Sequence, residues 1–161
     1  MSTSQRKKNP SRLPGTYGRR VFVGGSYATE NRRFLDRLVA AIRKTGFVPV
    51  VADEYAMADE QIHDQSLLLL HSCQYAVLEM STASGALMEV ERTRDYGTKT
   101  LVLWRAEPTM EDWKVSKMLD SFVKSSGGLC QERSYERPEH AILLLRRWLE
   151  CMKRHEANLD A

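Results

Sequence analysis

The chain has 161 residues, 42% hydrophobic and 28% charged, which is the size and balance of one globular domain with a single core. Its longest apolar runs, 67–70 and 141–145, fall far short of the roughly 20 residues of a membrane span, and 1–10 lack the apolar stretch of a secretory signal, so a cytoplasmic protein with no membrane partner is expected. The net charge of +3 is uneven: Arg6, Lys7, Lys8, Arg12, Arg19 and Arg20 face no acid in the first 20 residues, leaving 18 basic against 21 acidic residues in the rest.

Residues 1–19, rich in Ser, Lys, Arg, Pro and Gly, are expected to be a disordered basic tail. That tail is the one part suited to touch nucleic acid; the acidic body is not. A domain over residues 20–155 follows. Val21–Gly24 is a short buried strand, and 30–45 have helical periodicity through Phe34, Leu35, Leu38, Val39 and Ile42, closed by Gly46. Phe47–Val51 is a second strand, Gln61–Ser72 a helix with a leucine face, and Tyr75–Met80 a third strand. Ser84-Gly85 open a helix that ends at Gly97, and Thr100–Trp104 is a fourth strand. Asp112–Val123 reads as helix, Leu129–Arg133 as an edge strand, and Pro138 starts a last helix carrying Ile142, Leu145, Trp148, Leu149 and Met152. Alternating apolar strands and amphipathic helices specify an α/β fold: a doubly wound, five-stranded parallel sheet of flavodoxin or Rossmann type, order 2-1-3-4-5, with helices on both faces.

Open sheets of this kind bind ligands beyond the carboxyl ends of their strands. Those ends carry Gly24-Gly25-Ser26-Tyr27, then Asp53-Glu54-Tyr55, then Ser81 to Gly85 followed by Glu89, then Arg105. The opposite loops (Thr45-Gly46, Cys73-Gln74, Gly97-Thr98) carry turn chemistry alone. Two small-residue loops leading into helices leave backbone N–H groups open to an anion, although a tight strand–helix connection explains Gly24-Gly25 equally well. Glu89, near a helix start, sits where the positive helix end favours an ionised carboxylate, and such a carboxylate facing a sugar C1′ is a nucleophile. By spacing alone surface charge is the better reading of Glu89, and it is the role given to Glu91 and Arg92. Arg32 and Arg33 could reach a phosphate, but a solvated helix face is the better reading of both. His63 is an acid–base candidate or a cap, Asp64 a cap or first-turn acid, and Glu79 either an edge-pointing acid or a buried, partnered one. Trp104 is core or a stacking surface. Cys73, Cys130 and Cys151 have no metal or redox spacing and the four histidines are scattered, so neither metal nor cofactor is expected.

Taken together, Phe22-Val23-Gly24-Gly25-Ser26, Ile62-His63-Asp64-Gln65, Ser84-Gly85-Ala86-Leu87-Met88-Glu89, Leu103-Trp104-Arg105 and Val115-Ser116-Lys117-Met118-Leu119 resemble the nucleoside 2-deoxyribosyltransferase superfamily, within it the 2′-deoxynucleoside 5′-monophosphate N-hydrolases. The resemblance runs from Val21 to Phe122. It implies cleavage of the base–sugar bond of a small nucleotide with Glu89 as nucleophile, a 5′-phosphate held by Gly25, Ser26 and Ser84, and a homodimer in which Ser116 reaches across to the neighbouring site. Two positions depart from it. Ser66 stands where the family has an aspartate beside the reacting carbon, and Tyr27-Ala28-Thr29 stand where an arginine is expected. A more distant resemblance, to bacterial TIR domains, rests on Asp53-Glu54-Tyr55, Tyr75 to Ser81 and Glu89, and implies NAD as substrate. A nucleotide-sensing module without catalysis is the remaining reading.

Overall fold

The computed structural model describes residues 6–56, 62–80, 86–106, 121, 123–124 and 127–160, with backbone alone at 62–64, 86–88, 91 and 160. Five strands form one parallel sheet: β1 (Arg20–Gly24), β2 (Val48–Val51), β3 (Tyr75–Glu79), β4 (Lys99–Arg105) and β5 (Cys130–Tyr135). Their order is β2-β1-β3-β4-β5, as the alternation of elements predicts. Among the described residues four helices cover it: α1 (Thr29–Lys44), α2 (Ile62–His71), α3 (Ala86–Tyr96) and α4 (Pro138–Asp160).

The two-residue period of a strand sends alternate side chains to opposite faces, and each face builds its own core. Val21, Val23, Tyr75, Val77, Leu101 and Leu103 pack against Leu35, Leu38 and Ile42 of α1 and Leu145, Trp148 and Leu149 of α4. Phe22, Val50, Ala76, Leu78 and Val102 pack against Leu69 and Leu70 of α2 and Val90 of α3. Tyr75 is fully buried, in edge-on contact with Phe47 and Trp148, and its hydroxyl donates to Glu156. The polar sequence of β5 suits an edge strand, where charged side chains discourage pairing with another chain.

Gly46 closes α1 as its sequence position predicts. Its φ of +89° lets the Phe47 N–H reach the Ile42 carbonyl at 3.2 Å while its own N–H bonds Arg43, so two of the helix's last carbonyls are satisfied. The predicted helix over 112–123 lies largely outside the described residues, as does Trp113.

Residues 6–19 of the basic segment run along the β2 edge in this structure. Lys8 forms a parallel bridge to Tyr55, its N–H donating to the Glu54 carbonyl and its carbonyl accepting from Ala56, both at 2.8 Å. Arg20 then ties the segment to the body, donating to the carbonyls of Pro14, Gly15 and Ser72. An open strand edge offers backbone partners of this kind. No helix among the described residues is long and apolar enough to cross a membrane.

Candidate active site

The parallel order places the topological switch point between β1 and β3, where the connections leave in opposite directions and a crevice opens at the carboxyl ends. Gly24 pairs with Leu78 across that crevice, and Gly25 lies beside the end of β3. Glu89 enters it from the first turn of α3, on the α2/α3 side of the sheet.

Three of the predicted residues converge here. The Ser66 hydroxyl, nearly buried on α2, donates to Glu89 Oε1 at 3.0 Å. Glu89 Oε2 occupies the space that a side chain at residue 24 would fill: a Cβ on Gly24 would stand 2.6 Å from it and 2.6 Å from Leu78. Glycine at 24 is therefore a steric requirement for this seat, beyond its use as a turn residue. The helix N-terminus and the Ser66 donor both favour an ionised Glu89. Glu89 itself remains partly accessible.

Tyr27 borders the same space. Its hydroxyl turns inward, 3.4 Å from the Val23 carbonyl. Burial first, then the Glu89 and Asp53 carboxylates, push the phenol above its ordinary value, against weaker opposing effects of an Ala52 backbone hydrogen bond and Arg32. Tyr27 is thus a neutral hydrogen-bonding group near neutral pH, in the place where the resemblance expects an arginine. Ser26 holds the turn into α1: its Oγ accepts from the Ala28 N–H at 3.4 Å, and its carbonyl accepts from the Asn31 side chain.

His63 and Asp64 lie in the first turn of α2, but their side chains are outside the described residues, as are Ser84, Gly85 and Ser116. Glu79 takes the buried, partnered form of its two readings. It is fully buried on the α1/α4 side and accepts the Tyr135 hydroxyl at 3.0 Å, so it lies on the opposite face from Glu89. Trp104 packs against the α2/α3 core. Arg92 is exposed and pairs with Asp95 at 3.6 Å, and Arg33 is exposed, in keeping with solvated helix faces.

Arg32 departs from that reading. It is held by three carboxylates, Asp36 at 2.6 Å, Asp53 at 2.9 Å and Glu54 at 3.4 Å, and with the last two it lines a cavity of about 590 Å³. Arg6, Lys7 and Lys8 complete the wall. The signal in the sequence was Asp53-Glu54 at a strand's carboxyl end, opposite an arginine in the first turns after β1. Among the described residues no group of three or more His, Cys, Asp or Glu could hold a metal ion.

The fold has counterparts among solved structures. The fold resembles that of a CMP N-glycosidase. That protein, BcmB of Clostridium botulinum, superposes with a TM-score of 0.58 at 14% identity, over 80% of this chain and 98% of its own. A conserved protein from Enterococcus faecalis V583 superposes with a TM-score of 0.57 at 12% identity, over 81% and 98%. At such identities the likeness is one of fold. No family model matches the sequence, and no curated protein matches it either.

Proposed function

We propose that this protein cleaves the N-glycosidic bond of a small nucleotide, with Glu89 as the nucleophile. The observation that carries the proposal is the seat of that carboxylate: at the switch-point crevice, oriented by Ser66 through one oxygen and admitted by the missing Cβ of Gly24 at the other. The activity named for the BcmB neighbour and the resemblance of residues 21–122 to nucleoside 2-deoxyribosyltransferases support the same chemistry.

The chemistry follows from a carboxylate at C1′. A Glu89 oxygen attacks C1′ as the C1′–N bond breaks, and the base leaves with the bonding electron pair, taking a proton from solvent or a neighbouring acid. The transition state has oxocarbenium character, which a nearby anion stabilises. Water, or a second base in a transferase, then attacks C1′, its proton passes to solvent, and the Glu89 carboxylate is released. Ser66 does what one hydroxyl can do here: it fixes the attacking group's orientation without adding the second negative charge that an aspartate would bring.

For substrate we place a deoxynucleoside 5′-monophosphate first, with its phosphate against Gly25, Ser26 and Ser84. We also place the protein in the cytoplasm as a homodimer in which Ser116 reaches the neighbouring site. The deciding experiment incubates the protein with deoxynucleotides, ribonucleotides and NAD and separates the products by chromatography. Free base from a deoxynucleotide, lost in Glu89→Gln, is the expected result. Free base from ribonucleotides alone overturns the sugar assignment, nicotinamide release replaces the substrate with NAD, and binding without turnover makes the protein a sensor. Light scattering tests the dimer, which Ser116 and Met118 substitutions should weaken.

A further inference from the structure

The basic segment before β1 borders a cavity, and its charge is only partly spent. Six residues line that cavity of about 590 Å³: Arg6, Lys7, Lys8, Arg32, Asp53 and Glu54. Lys8 is committed to Glu54 at 2.9 Å, and Arg32 to Asp53 and Glu54. Lys7 donates to the Asp53 backbone carbonyl, which bears no full charge. Among the described residues neither Arg6 nor Lys7 has a carboxylate partner. With Asp36, which also pairs with Arg32, four cations face three carboxylates, so the cluster keeps a net positive charge, carried by Arg6 and Lys7.

The position of the cavity matters as much as its charge. Asp53 and Glu54 follow β2 and Arg32 follows β1, so the cavity opens at the same carboxyl edge as Glu89. Tyr27 links the two places, since its hydroxyl feels both the Glu89 and the Asp53 carboxylates. Asp53 also turns Oδ1 inward, where it has no hydrogen-bond partner among the described residues. Asp53 Oδ1 is buried and out of a ligand's reach, so the chemistry the cavity offers is that of Arg6 and Lys7, which fits a ligand carrying phosphate.

We propose that Arg6 and Lys7, beside the carboxylate-held Arg32, form a phosphate subsite for a nucleotide carrying a diphosphate or longer chain, built by docking the basic segment onto Tyr55. The volume is that of a small-molecule pocket, and the bridging backbone bonds at Lys8 hold the cations in place at little further entropic cost. The segment thereby supplies the positive charge that the Tyr27-Ala28-Thr29 turn lacks. The inference rests on the proposed function for the organic part of the ligand, but not for its anionic part.

The test is therefore a binding measurement on the full chain, which an inactive Glu89 would not affect. Isothermal titration compares inorganic pyrophosphate, the four ribonucleoside and four deoxyribonucleoside 5′-diphosphates, and a single-stranded oligonucleotide. The proteins are the native chain, Arg6→Gln/Lys7→Gln, and Arg12→Gln, an exposed cation of the same segment outside the cavity. Pyrophosphate should bind the native chain and at least one nucleoside diphosphate should bind more tightly. The double substitution should weaken both by roughly tenfold, the loss of two charge-assisted contacts at an exposed rim, with Arg12→Gln unchanged. Equal affinity in the double variant, or no binding of pyrophosphate at all, overturns the subsite. Nucleotides no tighter than pyrophosphate, or an oligonucleotide tighter than every nucleoside diphosphate, overturn the ligand assignment. The glycosidase assay can fail while all of these hold, so the two proposals fail separately.

Discussion

Two glutamates stand near the same edge of this sheet and have opposite fates. Glu79 ends β3, faces the α1/α4 core, has no accessible surface and accepts a hydrogen bond from Tyr135. Glu89 reaches the crevice from α3 on the other face, accepts from Ser66, and keeps part of its surface. One is a structural carboxylate whose hydrogen bonding offsets the cost of burial; the other is oriented but reachable. Hydrogen bonding at a single residue does not distinguish a site from a scaffold, because both glutamates have an orienting hydroxyl. The distinction lies in which face of the strand each occupies and whether anything can approach.

The sharpest way to break this comparison is to remove each carboxylate in turn. Glu89→Gln should lower base release by about three orders of magnitude or more, because the nucleophile is gone, while the thermal midpoint stays close to native. Glu79→Ala should do the reverse. It leaves a void and a buried hydroxyl without its acceptor, at a cost of about 3 kcal/mol, read by denaturant unfolding, with turnover per folded molecule retained. If Glu79→Ala abolished turnover in a fully folded protein, the assignment of roles would be reversed.

Gly24→Ala tests the seat itself. The added methyl would stand 2.6 Å from both Glu89 Oε2 and Leu78, so one of them must move. The carboxylate end is the more flexible, so we expect a fall in kcat of about 10- to 100-fold from a misplaced nucleophile, with only modest loss of stability. Stability lost with catalysis intact would show that Leu78, not Glu89, gives way. Tyr135→Phe sharpens the other side of the comparison. It removes the donor to Glu79 and should cost about 2 kcal/mol by denaturant unfolding, again with little effect on turnover.

How much of this was readable beforehand depends on what each feature requires. The strand order needed only apolar runs separated by helical periods, and the schedule of 21–24, 47–51, 75–80, 100–104 and 129–133 supplied it. The carboxyl-edge loops followed from that order, so Gly24 and Glu89 could be named together, whereas Ser66, inside α2, was named only through the family resemblance. Glu79 stayed between two readings because strand parity puts it on the face of Tyr75 and Val77, but only the β3–β4–β5 register brings Tyr135 to it. The basic segment's contact with the body was not legible for a related reason. Its pairing with Tyr55 is a backbone contact across 47 residues, invisible to composition. Arg32 then changed from a solvated cation to a bridge among Asp36, Asp53 and Glu54, because its partners come from a different strand as well as its own helix.

The smallest expected effect concerns the hydroxyl that orients the nucleophile. Ser66→Ala removes the 3.0 Å donor to Glu89 Oε1. A hydrogen bond to the ionised form favours that form, so its loss raises the pH at which Glu89 ionises. Activity that requires the carboxylate is then lost at a higher pH on acidification, and the acid limb of the kcat/KM profile moves up. At pH 7 the remaining loss reflects orientation, on the order of three- to tenfold. Ser66→Asp restores the residue type that the resemblance expects and places a like charge beside Glu89, so it should push the same limb further in the same direction. If instead Ser66→Asp left the limb in place while raising turnover, the aspartate would act on the sugar rather than on Glu89. The serine in this chain would then mark a different sugar specificity, not a different way of holding the nucleophile.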